Sequence, residues 1–324
     1  MKYAALLVCV GLWGAVFVGV HELLPVLDPE QMVTLRFLAV ALTFAALLLA
    51  HPAWRPKLTR REWGITVLSG LLAVPVCQLA IVEGQRYLSP PIASLVVTFS
   101  PAIAAVLAFR SEPLSARQAA GFAVALGGVA VIVVLGAGSG AELSASDPLR
   151  ASIALLTPTS WALYTLISKP LAARHGSVGP VAVAMLVGSV TLIPLLPHAV
   201  QPVGDLTGTQ WAWLAYLVVG GTMLPYIFWA YGLRGLPVNR TAAFMYLIPC
   251  FAMGWTALFL GDAPSALALT GGAVVLAGVA LTQSAPDQAP RGRGGDPREH
   301  GLDQPADDED REPVVDRIAP GHAG

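Results

Sequence analysis

Ten apolar runs, separated by short polar breaks, set the pattern of this chain: 3–20, 31–50, 63–82, 90–109, 116–136, 151–168, 178–197, 211–232, 239–260 and 264–282. A helix needs about 20 apolar residues to cross about 30 Å of hydrocarbon, so each run predicts a transmembrane α-helix. The breaks collect proline and charge, as at Asp28-Pro29, His51-Pro52, Ser89-Pro90-Pro91, Asp147-Pro148 and Leu236-Pro237. The first run follows Lys2 and resembles a signal peptide. No small-residue cleavage site precedes His21-Glu22-Leu23-Leu24-Pro25 and further runs follow, so it reads as a retained helix. The predicted fold class is all-α integral membrane, with ten transmembrane helices.

The chain writes its landmarks twice. Adding 148 takes Trp13 to Trp161, Trp63 to Trp211, Gly84 to Gly232, Arg86 to Arg234, Leu88 to Leu236 and Pro101 to Pro249. Beyond Pro101 the offset becomes 150, pairing Gly121 with Gly271, Gly128 with Gly278 and Glu112 with Asp262. Self-similarity at a fixed spacing signals duplication. The predicted organisation is a first five-helix repeat over 1–136, a linker over 137–150, a second five-helix repeat over 151–282 and a tail over 283–324. Five is odd, so the second repeat enters the membrane inverted relative to the first. Inverted repeats are common in secondary transporters, where the solute binds between the halves and their rocking alternates access.

Composition agrees with lipid as the solvent. The chain is 55% hydrophobic and 12% charged, with mean hydropathy +0.66, against about 25% charge in soluble domains. Ten of the 20 acidic residues lie in 283–324. That segment lacks the apolar content to fold and reads as a disordered, acidic, cytoplasmic tail. Alternate loops carry eleven and two Lys or Arg residues. By the positive-inside rule both termini face the cytoplasm, which gives a multi-pass protein of the plasma (cytoplasmic) membrane. Basic residues form no face outside short loops, so no nucleic-acid partner is expected.

Polar and aromatic side chains within spans are costly unless they face a cavity or a partner. Trp13 and Trp161 occupy equivalent places midway along the first and sixth runs and would approach each other in an inverted pair. They are candidate cavity walls, and Tyr164 shares a face with Trp161. Gln78 and Tyr226 are equivalent, as are Thr98 and Tyr246, which precede Pro101 and Pro249 by three residues. Mid-span prolines there, with Pro75 and Pro225, kink helices and free carbonyls that could meet a solute. The plainer alternative is that Thr98 bonds back to its own helix and the prolines only shape packing. Arg36 is near enough to an outer helix end to snorkel, or could hold a solute carboxylate. No carboxylate sits mid-membrane, and Glu83, at an outer helix end, is the candidate for a coupling role. Gly121, Gly128, Gly271 and Gly278 suit close helix packing.

Catalysis finds no support. His21-Glu22 lacks the second His of a zinc helix, no Gly-x-Ser-x-Gly elbow exists, and 136–140 lacks the Lys-Ser/Thr of a phosphate loop. Cys9, Cys77 and Cys250 lie in apolar runs without metal-ligand spacing. No enzyme activity, cofactor or metal is expected; the expected partners are a small-molecule solute and the bilayer.

Trp13-Gly14, Arg36-Phe37, Pro101, Glu112-Pro-Leu-Ser, Gly121 and Gly128 carry a resemblance, as do Trp161, Tyr164, Pro249, Gly261-Asp262, Gly271 and Gly278. In that order, over residues 1–282, they resemble the EamA-type exporters of the drug/metabolite transporter superfamily. Ser111-Glu112 and Gly261-Asp262 depart from the paired Gly-Glu pattern of that family. The resemblance implies export of amino acids, related metabolites or amphipathic drugs. An aromatic cavity with few fixed charges suits neutral or zwitterionic solutes. Efflux of lipophilic cations, a membrane-embedded enzyme and an anchor for tail-binding partners are the alternatives.

Overall fold

A computed structural model describes residues 1–86, 90–109, 111–132, 152–261 and 264–284, and among these every regular element is helical. The predicted linker over 137–150, the tail from 285 onward and Asp262 lie outside the described residues. The longer helices are α1 (Lys2–Leu23), α2 (Pro29–Ala50) and α3 (Arg60–Gly84). Next comes α4, in two pieces, Pro90–Val97 and Ser100–Ala108. They are followed by α5 (Ala116–Ala130), α6 (Leu156–His175) and α7 (Val178–Val190). The last are α8 (Gly208–Leu233), α9 (Val238–Leu260) and α10 (Ala266–Gln283).

Six of these, α1, α2, α3, α8, α9 and α10, are long and apolar enough to cross a membrane. A seventh follows if α7 and Ile193–Asp205, bent 49° from it, act as one. The remaining apolar runs differ for visible reasons. Thr98 and Phe99 interrupt α4, the regular α-helix of α5 is 15 residues long, and α6 carries Lys169 and Arg174 among several Thr and Ser residues.

Polar residues fix the helix starts. Glu62 accepts the Thr59 amide at 2.9 Å while its own amide donates to the Thr59 hydroxyl at 3.3 Å. This reciprocal capping box satisfies two amides that the first turn leaves orphaned. Thr207 and Gln210 repeat it at the start of α8, and Ser115 with Gln118 at the start of α5.

Packing relies on missing side chains where helices cross most closely. A Cβ on Gly128 would stand 2.8 Å from the Gly271 carbonyl, and one on Gly278 2.7 Å from that of Gly121. These four glycines bring α5 and α10 into backbone contact, the small-residue packing that replaces the hydrophobic drive inside lipid. Elsewhere α1 lies against α8 and α9, and α7 against α2 and α3.

Two long helices open in the middle. Leu72–Val76, containing Pro75, forms a π-helical turn in α3, and Val219–Met223, just before Pro225, forms one in α8. Inserting a wide turn frees backbone carbonyls that an unbroken helix would use. In α9 a 3-10 stretch, Phe244–Leu247, precedes Pro249.

Candidate functional site

The freed carbonyls of α3 and α8 find side-chain donors. Pro225 has no amide hydrogen for the Gly221 carbonyl four residues back, and Arg36 Nη2 donates to that oxygen at 2.9 Å. Arg36 Nε donates to the Leu217 carbonyl at 3.1 Å and to Thr222 Oγ1 at 2.6 Å. The guanidinium therefore turns inward onto α8 instead of snorkelling, because the π turn offers it the Gly221 carbonyl and the Thr222 hydroxyl, and the helix just before the turn offers the Leu217 carbonyl. Across the interior, the Cys77 amide reaches back five residues to Leu72. The Ala73 carbonyl, its ordinary helical acceptor, takes the Tyr226 hydroxyl at 3.2 Å.

Beside these breaks stands a cluster of rings. Trp13 and Trp161 meet edge to face with centroids 5.0 Å apart, and Tyr226 meets the edge of Trp161 at 5.3 Å. Trp229 packs on both tryptophans, at 5.4 and 5.6 Å, and donates its Nε1 to Thr165 Oγ1. Such pairs add about 0.5–1.5 kcal/mol each beyond area burial, so the cluster forms a stiff wall.

That wall borders a cavity of ≈ 80 Å³, room for roughly five waters at about 15 Å³ each. Its polar edge comes from Arg36, Gln78, Gln85, Thr157, Trp161 and Tyr226, and its apolar remainder includes Val16, Val20, Ile81, Val82 and Met245. Gln78 donates to the Tyr226 hydroxyl at 3.3 Å, and Arg36 Nη1 lies 3.5 Å from Gln78 Oε1. The Trp161 indole N–H is buried with no acceptor among the described residues.

Of the residues singled out from sequence, Trp13, Arg36, Gln78, Trp161 and Tyr226 line this cavity. Tyr164 backs the wall, its ring 5.0 Å from that of Trp161. Thr98 and Tyr246 stand away from the cavity. The Thr98 hydroxyl donates to Leu95 O in its own helix at 2.6 Å, and Tyr246 packs on Phe122 at 5.7 Å. Glu83 is also outside it, 3.5 Å from Arg86, which in turn pairs with Asp28. Sequence reasoning passed over Trp229, Thr222 and Thr157. Trp229 was within reach, since it follows Tyr226 by three positions and so shares its face. No group of three or more metal-ligating side chains occurs among the described residues.

The EamA-like transporter family matches residues 1–134 and again residues 150–283. This chain belongs to that family. A relative from Streptantibioticus cattleyicolor, named "Probable terminal-alkyne amino-acid exporter", is 31% identical over 229 residues, covering 70% of this chain and 74% of its own. The "Probable amino-acid metabolite efflux pump" of Salmonella typhimurium is 29% identical, covering 86% of this chain and 92% of its own. An Archaeoglobus fulgidus protein named "Uncharacterized transporter" is 23% identical over 86% of this chain and 97% of its own. One solved crystal structure superposes with a TM-score of 0.70 at 18% identity, covering 86% of this chain and 95% of its own, and it shares the fold. With six membrane-length apolar helices among the described residues, this EamA transporter is a multi-pass membrane protein.

Proposed function

We propose that this EamA protein is a secondary transporter that exports small organic solutes, amino acids or related metabolites, by alternating access. The observation that carries the reading is the cavity at the Trp13–Trp161 contact, flanked by the broken middles of α3 and α8. A solute seated there touches both halves of the chain, so their relative tilt could expose it to either side in turn. Amino acids enter the proposal through the two relatives named as an exporter and an efflux pump.

The proposed architecture is ten spans in two inverted five-helix repeats, with both termini cytoplasmic in the plasma membrane. Contacts between positions 148 residues apart support the duplication, Trp13 on Trp161 and Gln78 on Tyr226 among them. In this reading Trp13, Gln78, Trp161 and Tyr226 hold the solute while Tyr164 stiffens the wall. Among the described residues no carboxylate lines the cavity, which favours facilitated movement or exchange over coupling through Glu83.

Counterflow in proteoliposomes tests the function. Full-length protein, reconstituted with verified insertion, is loaded with unlabelled amino acids and offered labelled ones, with and without an imposed pH gradient. Saturable exchange of one class supports the reading. Silence across amino acids and a wide metabolite mixture sinks it.

A further inference from the structure

Arg36 is a buried cation with no counter-ion among the described residues. It is 3% exposed, and the described ion pairs are made instead by Arg86, Lys169, Arg174, His175 and His198. Taking a charge from water into a protein interior is costly unless it is paired, and more so within a membrane. What compensates Arg36 is dipolar: two α8 carbonyls, the Thr222 hydroxyl and the ring of Phe37, 5.2 Å from the guanidinium carbon.

The guanidinium has five N–H donors in a fixed fork. Nε and one hydrogen of Nη2 are committed to α8, and Nη1 reaches only Gln78, in a long contact of 3.5 Å. Arg36 lines the cavity together with Gln78, the long-range partner of its Nη1, which places the least committed nitrogen beside another lining side chain. Trp161 adds a second, independent sign: it lines the same cavity, is 5% exposed, and its indole N–H has no acceptor among the described residues. The cavity thus carries a net positive charge, spare donors and, among the described residues, no acidic side chain. The aromatic rings offer an ammonium little, because Trp13, Trp161 and Tyr226 meet edge to face at 88°, 85° and 90° and spend their faces in part on one another.

We propose that the cavity selects solutes by a carboxylate, and that the ammonium group of an amino acid is dispensable there. The carboxylate sits at Arg36 and supplies the missing counter-charge, while an apolar body lies against Val16, Val20, Ile81 and Val82. Desamino acids of the same body bind as amino acids do, and lipophilic amines do not. This rests on the reading of the cavity as the solute site and narrows its chemistry.

Intrinsic tryptophan fluorescence of the purified full-length protein tests it, because two tryptophans border the cavity. Near neutral pH the protein is titrated with L-leucine, 4-methylpentanoate and 3-methylbutylamine, and with the matching phenylalanine, 3-phenylpropanoate and phenethylamine. The acids bind comparably to the amino acids, and the amines about ten- to a hundred-fold more weakly, the worth of one lost charge-assisted hydrogen bond. Trp161→Phe keeps an aromatic ring but removes the free N–H and weakens acid binding several-fold; Arg36→Gln erases the preference for acids. The ligand series on the unmodified protein stands even if Arg36→Gln does not fold. Amines binding as tightly as acids, amino acids binding where their desamino acids do not, or no acid binding at all would overturn the proposal. Counterflow with the same compounds separates the two readings. Acids and amino acids that bind without exchanging, with the metabolite mixture silent too, keep the site and sink transport, whereas amines that exchange while acids do not keep transport and sink the site.

Discussion

The hydroxyl of Thr157 donates to the backbone carbonyl of Cys77 at 3.2 Å, linking α6 to the broken middle of α3. Shifted 148 positions in opposite directions, these residues become Cys9 and Pro225, and there the Cys9 thiol donates to the Pro225 carbonyl at 3.3 Å. Bulge carbonyls correspond in the same way: Ala73 O takes a donor from Tyr226, and Gly221 O one from Arg36. Close approaches do too, since a Cβ on Gly84 would meet Ala154 and one on Gly232 would meet Leu6. Contacts traded between equivalent positions are what two copies facing each other across an axis would make. In the proposed architecture that axis passes between Trp13 and Trp161, and the solute cavity lies on it.

The α5–α10 crossing should be intolerant of a single methyl group. A Cβ on Gly128 would stand 2.6 Å from the Val275 amide nitrogen, and backbone cannot swing aside, whereas one on Gly127 would meet nothing within 4 Å. Gly128→Ala is expected to cost about 1–3 kcal/mol through overpacking. Gly127→Ala should be neutral or stabilise by up to about 1 kcal/mol through helix propensity. Thermal unfolding of the purified protein separates them, and equal midpoints would contradict the packing described.

The Arg36 anchor on α8 can be probed with two threonines. Thr222→Val removes the 2.6 Å acceptor of Arg36 Nε and should destabilise by about 1–3 kcal/mol, because a charged donor loses a partner. Thr34 is equally buried, but its hydroxyl has no partner among the described residues. Thr34→Val should therefore be neutral or stabilising, since an unsatisfied polar group leaves the interior. Denaturation of both variants checks the sign of each change.

Glu112 serves two helices at once. Its side chain accepts the Val238 amide at 2.5 Å at the start of α9 and pairs with Lys169 of α6. A partly exposed ion pair is worth about 0–1 kcal/mol, while an amide cap at a helix start is worth about 1 kcal/mol and gains from the helix dipole. Glu112→Gln, which keeps an acceptor oxygen, should cost less than Glu112→Ala. Equal losses in thermal stability would shift the weight from the cap to the ion pair.

Hydropathy placed the apolar helices well. The runs 3–20, 31–50, 63–82 and 211–232 lie within Lys2–Leu23, Pro29–Ala50, Arg60–Gly84 and Gly208–Leu233. The extra turn at the start of α3 and α8 comes from the Thr59–Glu62 and Thr207–Gln210 boxes, polar signals to which an apolar count is blind. Trp13, Trp161, Gln78 and Tyr226 stand at the cavity, as equivalent mid-helix positions would if they met at the axis of the proposed architecture. Thr98 and Tyr246 are equivalent as well, yet equivalence says nothing of which way a helix faces. In the 3-10 stretch Phe244–Leu247, Tyr246 turns to Phe122 and leaves Met245 to line the cavity. The engagement of Arg36 was beyond reach, since it depends on acceptors 181 to 186 residues away that the π turn of α8 presents or adjoins.

Counterflow by the unmodified protein and by Trp161→Ala, side by side in proteoliposomes matched for inserted protein, probes transport through this cavity most directly. Removing the ring takes away the wall shared by Trp13, Tyr164 and Tyr226 while leaving the Arg36 anchor and the α5–α10 crossing untouched. Exchange should be saturable for the unmodified protein and fall at least about ten-fold for the variant, the worth of about 1.4 kcal/mol of lost binding. Undiminished exchange by Trp161→Ala would place the solute path elsewhere.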